Sequence, residues 1–185
     1  MRIITGKLKG RTIPVPKTDL LRPTTDRTKE GLFSVIEART WIENSRVLDL
    51  FAGSGNLGFE AISRGASTCL FVDREIKHSR HIEDLAKKFE VQNQVQTVTS
   101  DIETFLEKGG RGSFDFIFAD PPYDYFMMHE MTETILNDNW LNDDGWFILE
   151  HDKRLDFSEH EKCVFSKAYG RTIVAIFKHN DEGFN

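Results

Sequence analysis

The chain holds too little of several things to be secreted, metal-bound or membrane-embedded. Two cysteines in 185 residues, Cys69 and Cys163, make neither a disulfide framework nor a metal site. Cys69 falls in an apolar run and reads as a buried, reduced thiol. No apolar stretch approaches the roughly 20 residues a membrane helix needs, and the first residues lack the apolar core of a signal peptide. A cytoplasmic protein is the expectation. The six histidines follow no ligand spacing, so no metal is expected, and His78 and His81 read as solvent-facing on a charged helix. There is no internal repeat, low-complexity tract or linker. Proline is scarce, five residues in all, and two of the five are adjacent: Pro121 and Pro122.

What is present is ordinary for a globular protein: 39% hydrophobic and 29% charged residues. Length fits one domain over 1–185, with an arm over 1–20, a helical lead-in over 21–45 and a core over 46–180. The net charge of −6 is unevenly spread. Residues 1–30 carry eight basic and three acidic residues, a surplus of +5 that leaves −11 for the remainder. A basic arm on an acidic body fits polyanion binding through one face, and it also fits a solvated surface with accidental clustering.

Gly6, Gly10, Pro14 and Pro16 punctuate a loosely alternating start that predicts a small β-hairpin. Pro23 with Thr24, Thr25 or Asp26 offers helix-start chemistry before an apolar pattern through Leu32, Phe33 and Ile36. Strands are then expected near 47–51, 69–73, 95–99, 114–119, 145–150 and 171–178, with a weaker one near 162–168. Helices are expected near 56–64, 75–89, 102–108 and 127–137, and Asn142-Asp143-Asp144-Gly145 reads as a turn. Strand–helix alternation of this kind means an α/β fold with a mostly parallel sheet covered on both faces.

Four strand ends carry chemistry. Val47 to Phe51 runs into Ala52-Gly53-Ser54-Gly55-Asn56-Leu57-Gly58, a glycine turn that lets the backbone approach a ligand. Dinucleotide enzymes and methyltransferases share this turn. Asp49 tips the balance, because an acid there favours a cationic ligand such as the ammonium of a methionine moiety. It would equally serve as a helix-capping carboxylate. Asp73 ends the next strand and is suited to accept both hydroxyls of a ribose. Asp101 ends the third strand and could reach an adenine amino group, cap the helix that begins at Ile102, or do both.

Asp120-Pro121-Pro122-Tyr123 follows a strand that is apolar throughout. Two prolines stiffen the loop and end the ladder. A carboxylate and a backbone carbonyl beside an aromatic ring suit a planar base with an exocyclic amino group. The acceptors would take both amino protons and aim the nitrogen, while Tyr123 would stack on the base, a contact typically worth ~1–3 kcal/mol.

With these residues in hand, the chain resembles the RsmD-type bacterial methyltransferases, which modify the N2 amino group of a guanine in small-subunit (16S) ribosomal RNA. The resemblance runs from Arg2-Ile3-Ile4-Thr5-Gly6 and Gly10-Arg11, through Leu21-Arg22-Pro23-Thr24-Thr25-Asp26-Arg27, to the glycine and Asp120–Tyr123 motifs. It implies the Rossmann-like class I methyltransferase fold, with seven strands of which one is antiparallel. It implies S-adenosyl-L-methionine held by Asp49, Phe51, Ala52, Gly53, Ser54, Gly55, Asp73, Arg74, Asp101 and Ile102, and a target base held by Asp120, Pro121, Pro122 and Tyr123. Arg2, Lys7, Arg11, Arg22, Thr24 and Arg27 are the expected RNA contacts. The expected partner is small-subunit rRNA, in a partly assembled subunit; a monomer is the default. The loop motif alone leaves adenine N6 open beside guanine N2. A nicotinamide-linked oxidoreductase and a non-catalytic RNA-binding module are the readings from other classes.

Overall fold

A computed structural model describes residues 1–15, 26–109 and 113–179. Its centre is a seven-stranded sheet. The strands are β1 (Arg46–Leu50), β2 (Thr68–Asp73), β3 (Val95–Thr99), β4 (Phe114–Ala119), β5 (Leu141–Asp152), β6 (Cys163–Tyr169) and β7 (Thr172–Phe177). Their spatial order is β3-β2-β1-β4-β5-β7-β6, and β7 runs antiparallel to both of its neighbours. The reversal between β1 and β4 opens a crevice at the carboxyl ends of the strands, where ligands bind in sheets of this kind.

Five helices flank the sheet: α1 (Asp26–Glu37), α2 (Asn56–Ser63), α3 (Ile76–Lys88), α4 (Ile102–Glu107) and α5 (Met128–Asn137). Alternate residues of the central strands serve opposite faces. Val47, Phe116, Phe118 and Ile148 pack in one core with α1, α2 and α3, while Leu48, Ile117, Ala119 and Leu149 pack in another with α4 and α5. Strands buried on both sides must be apolar throughout, which is why they read as continuous runs.

Expected strands and helices fall within a residue of their observed bounds except β5, which starts four residues earlier and ends two later than expected. Asn142 to Gly145 do not form a turn outside the sheet but lie inside β5. Phe114 pairs with Leu141 and Phe116 with Trp146, so four residues of β5 oppose the single Asp115. Asp115 holds this bulge through its Oδ1, which accepts the Asn142 amide at 2.6 Å, while its Oδ2 accepts the Arg46 N–H at 2.7 Å. The turn-rich sequence is accommodated as a bulge, and the Asn142 side chain ties it to Asp115 on the neighbouring strand.

The arm forms a hairpin closed by one antiparallel bridge, Arg2 to Thr12, and it buries Ile3, Leu8 and Ile13. Lys29, counted above with the basic residues, contributes nothing to a basic surface. It is fully buried, and its ammonium donates to the Arg2 carbonyl at 2.7 Å and Asn56 Oδ1 at 2.7 Å and pairs with Glu60 at 3.0 Å. Glu60 also accepts the Ile4 and Thr5 N–H groups at 2.9 and 3.1 Å and pairs with Arg64. One buried lysine and one buried glutamate thus join the arm, α1 and α2.

Candidate active site

A cleft of about 1530 Å³ lies over the carboxyl ends of the strands. It exceeds the ~300–1,000 Å³ of a usual small-molecule pocket, enough for two ligands side by side. Asp49, Asp73, Asp101 and Asp120, from four different strand ends, all line it. So do Phe51, Ala52, Gly53, Ser54, Arg74, Ile102, Pro121, Pro122, Tyr123 and Arg27.

The glycine turn is held in an unusual backbone shape. Gly53 and Gly55 have φ of 52° and 80°, and Phe51 itself has φ of 56°. A non-glycine residue in that region is uncommon and tends to mark a functional turn. Gly55 lies behind the lining residues and closes the turn by donating its N–H to the Ala52 carbonyl at 2.7 Å. Gly58 serves packing: a Cβ there would stand 2.2 Å from the Phe71 ring.

Asp49 is 3% exposed, and its Oδ2 accepts the Gly58 N–H at 2.9 Å. The capping alternative is therefore realised: this carboxylate serves the amino end of α2 from the neighbouring strand. Burial pushes its pKa well up, opposed by the Gly58 bond and reinforced by the nearby charges of Asp120 and Asp73. A desolvated carboxylate facing a cleft is a good match for a cationic ligand, which would restore the charged form.

Asp73 accepts the Gly53 N–H on Oδ2 and the Glu75 N–H on Oδ1, both at 2.8 Å. It therefore ties the glycine turn to the next strand while lining the cleft. His78 corrects the expectation of a solvent-facing ring. It is buried, with Nδ1 at 3.0 Å from Asp73 Oδ1. His81, one turn on, is half-buried. Residues spaced by three on a helix facing a sheet cannot both point outward when one position meets a strand-end acid. Asp101 occupies the N-cap position of α4, yet its side chain makes no capping bond. The exposed carboxylate is left turned to the cleft.

After β4, the Tyr125 N–H donates to the Pro122 carbonyl at 2.9 Å and closes a turn. Tyr123 is 39% exposed and Phe126 86% exposed, both on the cleft wall. Tyr125 meets Phe51 edge-on at 4.9 Å, and burial pushes its hydroxyl pKa up. Arg154 donates to the Tyr123 carbonyl from outside the loop. Asp152 fixes Arg154, accepting its Nε at 2.7 Å and its backbone N–H at 2.8 Å.

The expected RNA contacts separate. Arg27, at the start of α1, lines the cleft, and Arg2 pairs with Asp26 at 3.2 Å nearby. Lys7 and Arg11 lie toward the other end of the sheet. The Lys7 ammonium donates to Gln94, just before β3, and Arg11 lies over Phe89 at the end of α3. Arg22 and Thr24 fall outside the described residues. Sequence reasoning missed Phe126, Arg154 and Glu150, which lines the cleft from β5. Glu150 ends an apolar strand run as the other acids do, and that signal was legible. Arg154 had none, because its task depends on a loop 31 residues away.

Among known proteins, a family model described as "Conserved hypothetical protein 95" matches residues 1–178. YlbH of Bacillus subtilis, provisionally named an rRNA methyltransferase, is 36% identical over 183 residues that span 96% of this chain and 98% of YlbH. Ribosomal RNA small subunit methyltransferase D of Haemophilus influenzae is 34% identical, covering 95% of this chain and 91% of that protein. The solved structure of yhhF from Escherichia coli, provisionally called a methyltransferase, superposes with a TM-score of 0.83 at 28% identity. It covers 97% of this chain and 99% of its own.

Proposed function

The chain belongs to the conserved hypothetical protein 95 family, and from that membership we propose that it methylates the N2 amino group of a guanine in small-subunit ribosomal RNA. The observation that carries the reading is the single cleft that gathers four strand-end acids and the stiff Asp120–Tyr123 loop. Its substrate is the small-subunit RNA in a partly assembled subunit. Carboxylates outnumber cations in the cleft lining, so shape supplied by the assembly must add to affinity.

S-Adenosylmethionine, when bound, supplies an electrophilic methyl group. The buried Asp49 and the Gly53–Gly55 turn would hold its methionine end, and desolvation makes Asp49 selective for a cation. Asp73 retains acceptor capacity beyond its two backbone bonds and would take the ribose hydroxyls. Asp101 and Ile102 would bound the adenine, with Arg74 at the rim. A base amine is a weak nucleophile because its lone pair is delocalised into the ring. Asp120 and the neighbouring carbonyl would accept its protons, concentrate electron density on nitrogen and aim it. Tyr123 would stack on the extruded base, whose removal from its stack costs a few kcal/mol. Positioning of this kind can supply up to about 7–11 kcal/mol of the barrier.

The test uses small subunits that lack the modification, incubated with the protein and labelled methyl donor. Mass mapping of the RNA should find the label on one guanine as the N2-methyl form, and Asp120→Ala should abolish it while S-adenosylhomocysteine still binds. Label on adenine or on DNA, and none on subunits, would overturn the reading.

A further inference from the structure

Glu150 is a buried carboxylate in the cleft to which methyl transfer as derived above gives no task. It is 3% exposed and lines the cleft from near the end of β5. A carboxylate so enclosed is costly unless it has donors to accept from. Both Glu150 and Asp120 already take part in interactions within the chain. A carboxylate has about four acceptor positions, so such interactions leave room for a ligand donor.

The register places Glu150 beside Asp120. Phe118 pairs with Ile148 and Ala119 with Leu149, and the residues that follow are Glu150, still in β5, and Asp120, the first residue past the end of β4. Neighbouring strands stand about 4.8 Å apart. Phe118 and Ile148 serve the core under α1 and α2, while Ala119 and Leu149 serve the opposite one. By alternation Glu150 returns to the first face, and Asp120, just past the end of β4, lines the same cleft. The sheet order then brackets Asp120: Asp49, Asp73 and Asp101 lie on the β1-β2-β3 side, and Glu150 lies on the β5 side.

Two adjacent carboxylates match one kind of base edge. Guanine carries its N2 amino group next to an N1–H, so both positions donate. Adenine carries its N6 amino group next to a bare N1, whose lone pair would face the second carboxylate. We propose that Glu150 reads the target base by accepting its N1–H while Asp120 engages the amino group, and so selects guanine. The inference rests on the methyltransferase reading above and adds to it the residue that discriminates. Glu150 is a specificity-determining residue in this scheme, and the methyl transfer itself stays with Asp120.

The experiment uses small subunits reconstituted with either guanine or 2-aminopurine at the methylated position. 2-Aminopurine keeps the amino group on C2 but has a bare N1. The native chain should favour guanine at least tenfold in kcat/KM, in line with the discrimination of a good base-edge pair. Glu150→Ala should bring that ratio toward one. Glu150→Gln can turn its amide N–H toward the bare N1 and should move the ratio further in favour of 2-aminopurine. Binding of S-adenosylhomocysteine reports that each variant is folded, and Glu150→Gln keeps the test alive if the alanine variant is not. A ratio unchanged from native in the folded variants, with activity lowered equally on both substrates, overturns the assignment and leaves Glu150 a structural residue. A native chain that methylates neither subunit overturns the functional reading and the inference with it, a result distinct from the unchanged ratio.

Discussion

Burial disfavours the charged form of Asp49 and pushes its pKa up. An acid whose folded pKa lies above its unfolded value binds more protons when folded, so stability falls as pH rises from the ordinary carboxylate range through the folded pKa. Asp49→Asn removes that penalty and keeps an oxygen for the Gly58 N–H. In the ligand-free protein it should raise the melting temperature at neutral pH by about 2–4 °C, the change that ~1 kcal/mol makes in a domain of this size. The gain should shrink as the pH is lowered into the carboxylate range, which scanning calorimetry would follow. The same change should weaken S-adenosylhomocysteine roughly tenfold or more by titration, about 1.4 kcal/mol or more. A variant that melts lower at neutral pH would mean that desolvation does not govern this site. At this scale the acids were legible in the sequence, because a charged residue ending an apolar strand stands out. Their internal bonds were not. Nothing in the linear order says that Asp73 accepts from Gly53 or that His78 turns inward to meet it.

The loop after β4 is stiffened from within by its prolines and held from without by Arg154. Arg154→Ala should leave binding of S-adenosylhomocysteine unchanged and lower kcat by between about tenfold and 100-fold, the range that ångström-scale misplacement of a reacting group produces. Arg154→Lys keeps one charge but loses the forked geometry that spans Asp152 and Tyr123, so it should recover only part. Steady-state kinetics on subunits would separate the two. A loss confined to KM would show that Arg154 meets RNA and does not position the loop. Elements themselves were read well, since period and turn chemistry act locally. The bulge in β5 escaped because Asp115, which accommodates it, lies 27 residues from Asn142. Short-range rules read Asn142-Asp143-Asp144-Gly145 as a turn, and a cross-strand hydrogen bond overrode them.

For the molecule as a whole, the described basic residues of the first thirty positions do not act as one surface. Lys29 is internal, Arg27 faces the cleft, and Lys7 and Arg11 sit toward the far end of the sheet. Arg27→Ala should therefore weaken subunit binding and reduce its salt slope by about one, as loss of a single phosphate contact does. Lys7→Ala should leave both unchanged in a filter-binding titration across salt concentrations. Equal effects of the two substitutions would mean that the RNA runs down the arm as well as across the cleft mouth. Charge counted along a sequence gives the total correctly and says little about which side of the fold it will occupy.

The buried pair Lys29 and Glu60 limits how this arm could be exchanged. A chimera that keeps residues 26–179 and takes another hairpin would have to present an Arg2 carbonyl equivalent to the ammonium and two N–H groups to the Glu60 carboxylate. Without them, a charge pair closed off from water would lose three of its hydrogen bonds at once. Hairpin and core are therefore not interchangeable parts, and a graft between relatives should succeed only when the receiving backbone of the hairpin and the lysine–glutamate pair travel together.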